Sequence, residues 1–163
     1  IVGARASVSC GANCTIEDSW LHNQYIEPGS NWHGDGFLTN GGSNFVLRHN
    51  TLACDSQATN GGGACSAALA AYGYFEPIVD LTVENNLFVE SPAGFCMYGG
   101  YDTVKPYGKG AKNVKVTNNT FQRGKNGKCG VWGAATFIAP NGSNGNTFSG
   151  NVWDDGKTVT PGT

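Results

Sequence analysis

A seven-residue pattern of alternating apolar and polar positions recurs five times along the chain, at residues 15–21 (TIEDSWL), 46–52 (VLRHNTL), 82–88 (TVENNLF), 115–121 (KVTNNTF) and 147–153 (TFSGNVW). Aligned without gaps, the copies give one apolar column of Ile16, Leu47, Val83, Val116 and Phe148, and a second of Leu21, Leu52, Phe88, Phe121 and Trp153. These are the expected inward-facing positions. Between them stands a polar column, Ser19, Asn50, Asn86, Asn119 and Asn151, which suits a stacked turn in which each amide side chain bonds the backbone of the next copy. A further column, Asn13, Asn44, Asp80 and Asn113, precedes the first apolar one and is interrupted by Gly145 in the last copy. Each interval also holds a second short strand-like run, at 36–40, 67–71, 94–98 and 130–134. No helical period is present.

Short strands in every repeat, joined by Gly- and Asn-rich bends, predict an all-β solenoid of parallel strands. Each coil advances by about 4.8 Å, so five coils make a stack roughly 24 Å tall. A propeller is excluded because its blades need about 40–45 residues and four strands each. Ile1 opens directly into strand-like sequence with no capping segment before it. Since a solenoid needs its end coils covered, residues 1–163 are expected to form one β-helix domain, the C-terminal part of a longer solenoid, with a missing segment or a partner chain covering the N-terminal coil.

Composition narrows this further. Of 163 residues, 13% are charged, 25 are Gly and only one is Met, a balance of extracellular β proteins more than of helical ones. The net charge of −2 argues against a general nucleic-acid binder, and no apolar run approaches the roughly 18 residues of a membrane span. Six cysteines, Cys10, Cys14, Cys54, Cys65, Cys96 and Cys129, contain no tight CxxC, so disulfides and a secreted, extracellular setting are expected rather than zinc. The pairing that closes two local loops is Cys10–Cys14 and Cys54–Cys65, leaving Cys96–Cys129; it is one of fifteen connectivities.

Charge is unevenly distributed. Residues 1–102 hold ten acids against Arg5 and Arg48, whereas 103–153 hold no acid and seven bases, among them Lys105, Lys109, Lys125 and Lys128. That asymmetry suits an anionic polysaccharide, or serves only to solvate loops. Aromatic residues crowd the same region: Tyr72, Tyr74 and Glu76 in one loop, and Tyr101, Asp102, Lys105, Tyr107 and Lys109 in the equivalent loop one coil later. Stacked side by side, they would offer rings to sugar faces and charges to fix orientation, a substrate-binding mixture.

The VxNNxF copies at 83–88 and 116–121 and their relatives resemble the right-handed parallel β-helix proteins of the pectate-lyase-like superfamily, over residues 10–155. The resemblance implies a carbohydrate-active protein and leaves the reaction open, because the fold hosts lyases, hydrolases and binding proteins alike. Ile1-Val2-Gly3 also resembles the start of activated trypsin-like proteases, but no Ser-centred nucleophile motif follows.

Three functions follow as expectations. The first is a polysaccharide lyase for a uronic-acid polymer, with His33, His49 or Tyr101 moving protons and Arg48, Lys105 or a Ca²⁺ held by Asp35 and Asp55 neutralising the carboxylate. The second is a glycoside hydrolase, since Trp32-His33-Gly34-Asp35-Gly36 partly resembles the Asn-Thr-Asp-Gly segment of polygalacturonases and Asp55 lies near the position of their Asp-Asp pair; the other motifs of that family are absent. The third is a non-catalytic binding or structural β-helix. Against a catalytic Arg48 and His49 stands their alignment with Glu17, Glu84 and Asp18 on neighbouring copies, which equally predicts structural ion pairs.

Overall fold

The computed structural model describes residues 1–162. Its strands form three five-stranded parallel sheets. The first contains β1 (Ala6–Ser9), β4 (His33–Thr39), β7 (Ala64–Ala71), β10 (Phe95–Gly99) and β13 (Gly133–Thr136). The second contains β2 (Ala12–Glu17), β5 (Gly42–Arg48), β8 (Ile78–Glu84), β11 (Lys115–Thr117) and β14 (Thr147–Ser149). The third contains the two-residue strands β3 (Trp20–Leu21), β6 (Thr51–Leu52), β9 (Leu87–Phe88), β12 (Thr120–Phe121) and β15 (Val152–Trp153). The chain visits the sheets in turn, so the molecule is a parallel β-solenoid of five coils, with no α-helix among the described residues.

The strand register follows the sequence alignment residue for residue. Ile16, Leu47, Val83, Val116 and Phe148 pair in one row, and Leu21, Leu52, Phe88, Phe121 and Trp153 in another. Most of these side chains are buried in one continuous core, where Phe88 and Phe121 stack with their ring centres 4.5 Å apart. A one-residue slip would turn every one of them outward, so the burial itself holds the register.

At the bend between the second and third sheets the predicted polar column is a hydrogen-bonded ladder. Asn50 Nδ2 donates to Asn86 Oδ1, Asn86 Nδ2 to Asn119 Oδ1 and Asn119 Nδ2 to Asn151 Oδ1, at 2.9–3.0 Å. Each amide oxygen also accepts from the backbone N–H of the preceding rung, and each Nδ2 reaches a backbone carbonyl. The residues just before the rungs, Asp18, His49, Asn85, Asn118 and Gly150, all adopt positive φ of 49–66°. Short polar side chains and Gly tolerate that conformation best, which accounts for most of what stands there. In the other polar column, Gly145 keeps the left-handed φ of Asn13, Asn44, Asp80 and Asn113, so it breaks the side-chain chemistry and not the backbone path.

The first sheet departs most from expectation. β4 and β7 begin three residues before the expected 36–40 and 67–71, β10 is shifted by one, and β13 starts at Gly133 rather than at 130. Residues 130–132 instead make a bend, in which Gly130 N–H bonds Gly133 O while Val131 and Trp132 bond back to Ala93 and Gly94. The sheet is built largely from Gly, Ala and Ser, whose small side chains leave little alternation to read. The expected disulfides are those of the structure: Cys10–Cys14, Cys54–Cys65 and Cys96–Cys129, with no free cysteine. Disulfides persist in oxidising compartments. No helix among the described residues is long and apolar enough to cross a membrane.

Candidate functional site

The turns from the first sheet to the second lengthen from residues 40–41 in one coil to 72–77 and 100–114 in the next two. Stacked at one corner, these loops wall a groove of about 640 Å³ over the outer face of the first sheet. Tyr72, Tyr74, Asp102 and Lys105 come from the loops, and His33 and Asp35 from β4. Two candidate clusters distant in sequence thus open onto one groove.

The position of Asp35 depends on a local irregularity. Between Gly34 and Asp35 the pairing of β4 with β7 shifts register, so that Ser66 is the extra residue on β7. Such a bulge re-aims the side chains beside it. Asp35 and Ser66 both line the groove, while Phe37, two residues on, is fully buried in the core. Asp35 is only 4% exposed, and its Oδ1 is buried without a hydrogen-bond partner. Burial pushes its carboxyl up to about 7; the nearby Arg5 guanidinium, the Ala67 backbone and the Ser66 hydroxyl act in the opposite direction without cancelling it. Below neutral pH this side chain is therefore mainly protonated, and near pH 7 it exchanges readily between the two forms.

Phenols surround it. Burial, and after it the charge of Asp35, raises Tyr72 well above the usual tyrosine range. Tyr98 is also raised, chiefly by burial. Both remain proton carriers. Their rings form a run: Tyr74 to Tyr72 at 5.8 Å, Tyr72 to Tyr98 at 5.4 Å and Tyr98 to Phe137 at 5.2 Å between centres. Lys105 Nζ donates to Tyr74 Oη at 2.6 Å, fixing the ammonium at the groove wall. Asp102 is buried and folds its own loop, its Oδ1 accepting the Val104 N–H at 2.9 Å.

Other expected site residues lie elsewhere. Arg48 donates to Glu17 and Glu84 across three coils of the second sheet, the structural arrangement foreseen for it. His49 Nδ1 stands 3.9 Å from Asp18 Oδ1. Asp55 accepts the Asn23 N–H at 2.6 Å and lines a separate cavity of about 510 Å³ with Glu90, Lys125 and Lys128. That cavity shares no lining residue with the groove, so Asp35 and Asp55 do not face one substrate or one Ca²⁺. No three His, Cys, Asp or Glu side chains among the described residues cluster closely enough to hold a metal. Glu76 lines a smaller cavity beside Phe75, Tyr101 packs against the core and faces Ile138, and Tyr107 and Lys109 are exposed around the single-turn 3₁₀ segment Gly108–Gly110.

Arg5, Ser66, Tyr98 and Phe137 belong to the groove and were not expected there. Tyr98 pairs with Ala70 as Leu38 does, so Leu38, Ala70 and Tyr98 form one column over three adjacent coils, with Leu38 and Tyr98 both lining the groove. For Arg5 the only cue was its sign, as one of two bases in an acidic region. Comparison with protein-family models, curated proteins and solved structures finds no match to this chain.

Proposed function

We propose that the protein is a secreted, carbohydrate-active β-helix of pectate-lyase-like type, which binds an anionic polysaccharide in the groove over the first sheet and cleaves it by β-elimination. The observation that carries this reading is Asp35, a buried carboxyl with an unpartnered oxygen, biased by burial toward its protonated form, in a groove that also holds two cations, an imidazole and a wall of tyrosines. Arg5 and Lys105 neutralise the uronate carboxylate, which acidifies the adjacent C5–H. His33 takes that proton, and the electron pair forms the C4–C5 double bond as the C4–O bond breaks. Asp35 protonates the departing glycosidic oxygen, with Tyr72 and Tyr98 beside it as further donors.

The hydrolase alternative draws no support from geometry, because an acid and base acting across one bond must share a site, and Asp35 and Asp55 line separate cavities. Binding without turnover is the second reading, favoured by the continuous ring wall, which suits sugar stacking whether or not a bond is cut. Incubation with pectin, alginate and glycosaminoglycans, with and without added Ca²⁺, tests the proposal. Ultraviolet-absorbing unsaturated oligomers are expected from one of these polymers and are to disappear in Asp35→Asn. Saturable binding with no such product would reassign the groove to recognition alone.

A further inference from the structure

The aromatic run does not end at the groove. Tyr98 touches Phe95 edge-on at 5.8 Å between ring centres, and Phe95 in turn touches Trp132 at 5.8 Å. Trp132 lies outside the groove lining, is 64% exposed, and is preceded by Val131, which is also exposed. Its ring does not hang free in solvent. A Cβ placed on Gly94 would stand 2.6 and 2.7 Å from two carbons of the Trp132 six-membered ring, so the indole rests on backbone that only a glycine leaves bare. The Trp132 N–H bonds Gly94 O at 2.7 Å and fixes the backbone beneath the same side chain. A large aromatic ring held on one side by backbone and open on the other presents a fixed face on which a sugar ring can stack.

Strand register places this ring relative to the groove. Phe37, Leu69, Met97 and Ala135 pair in one row, as do Asp35 and Ala67 in another, which puts Phe95 level with Asp35 and Trp132 one residue before Gly133, the partner of Phe95. Asp35 and Trp132 are therefore near the same height on the first sheet, three strand gaps apart along the solenoid axis. At about 4.8 Å per gap the separation is roughly 14 Å. The step per coil is comparable with the length of one pyranose unit, so a glycan lying along the sheet would bring successive rings over successive coils.

We infer that Trp132, seated on Gly94 and joined to the groove through Phe95 and Tyr98, is a stacking platform for a sugar ring several units away from the one held at Asp35. The inference rests on the proposed polysaccharide function and adds a length requirement to it: the ligand is a polymer, and short oligomers engage only the groove. Trp132 is a binding residue of the outer subsite and takes no part in proton transfer.

Equilibrium binding of oligogalacturonates, alginate oligomers and glycosaminoglycan oligomers, graded from disaccharide to octasaccharide, tests it with the intact protein. Affinity of the unaltered chain is expected to rise with length. Trp132→Ala is expected to lose about tenfold in affinity for the octasaccharide, the size of one aromatic stacking contact, and nothing for the disaccharide. Trp132→Phe should restore part of the loss, and Gly94→Ala, which lifts the ring without removing it, should reproduce part of it. Equal losses at both lengths, or none, in Trp132→Ala would overturn the platform while leaving the groove reading intact. Failure of the unaltered protein to bind any of the three series would overturn both, and is told apart by the absence of any signal to lose.

Discussion

Asp35 holds its proton against the ordinary behaviour of a carboxyl, and that has a thermodynamic consequence. Its pKa rises from 3.8 in the open chain to about 7 when folded, so between these values the native state binds more protons than the unfolded one. The stabilisation linked to this group is complete below about pH 4 and is lost as pH rises through about 7. At 1.36 kcal/mol per pKa unit the full loss is on the order of a few kcal/mol. Asp35→Asn should abolish that slope, and urea unfolding at acidic and at mildly alkaline pH measures it: the variant is expected to gain on the parent as pH rises, and parallel pH profiles would refute the assignment. Arg48 makes the contrasting case. Its bridges to Glu17 and Glu84 lie at the surface, the one to Glu84 partly buried, so Glu84→Gln should cost little stability and leave glycan binding unchanged, readable in the same unfolding assay and by binding. Both outcomes were partly legible in sequence, since Arg48 aligns with two acids on neighbouring copies and Asp35 sits in a distinctive His-Gly-Asp-Gly string. What could not be read was the burial of Asp35, because it follows from a register shift opposite Ser66 that no periodicity announces.

Among the structural elements, the bends carry more information than the strands. The second and third sheets were aligned to the residue because each copy repeats both an apolar pair and the Asn between them. The Asn rungs do more than fill a turn. Asn86 accepts from the backbone N–H and the Nδ2 of Asn50 and donates to Leu47 O and to Asn119 Oδ1, all buried. Asn86→Ala would leave the Asn50 N–H and the Leu47 carbonyl without partners away from water, at about 1–3 kcal/mol each. A central rung should therefore destabilise far more than the exposed ion pair one sheet away, and a lowered urea midpoint with unchanged strand content measures it; loss of no more than about 1 kcal/mol would mean that water replaces the amide. The first sheet was read less well, with β13 misplaced and the starts of β4 and β7 missed. Its Gly and Ala residues let the backbone coils approach closely and expose a flat outer face, and the same smallness erases the hydropathy signal.

At the scale of the whole solenoid, winding redistributes what the chain order had grouped. The basic stretch behind residue 103 looked like one surface for a polyanion, yet Lys105 joins the groove, Lys125 and Lys128 face Asp55 and Glu90 in another cavity, and Arg123 stacks over Trp153 between Asp154 and Asp155. Arg123 holds the Asp155 carboxyl well below the usual range, so that base is already satisfied within the chain. Cysteine spacing survived the winding better, because two of the three bonds are local. Their consequences differ with the loops they close. In the chain-entropy account, bonds at sequence separations of 4, 11 and 33 contribute about 2, 3 and 4 kcal/mol respectively. Cys96–Cys129 thus restricts the unfolded chain most. Cys65 and Cys96 belong to β7 and β10, the strands beneath the groove, whereas Cys10–Cys14 lies at the junction of β1 and β2 in the end coil. Paired Ala replacement should lower unfolding free energy in the order of loop length. Replacing Cys10 and Cys14 should leave glycan affinity intact, while replacing Cys96 and Cys129 should weaken both stability and binding. If instead the end-coil bond proved the most costly to remove, unzipping from the first coil would govern the stability of the stack, and nearest-neighbour coupling between coils would outweigh the constraint on the open chain.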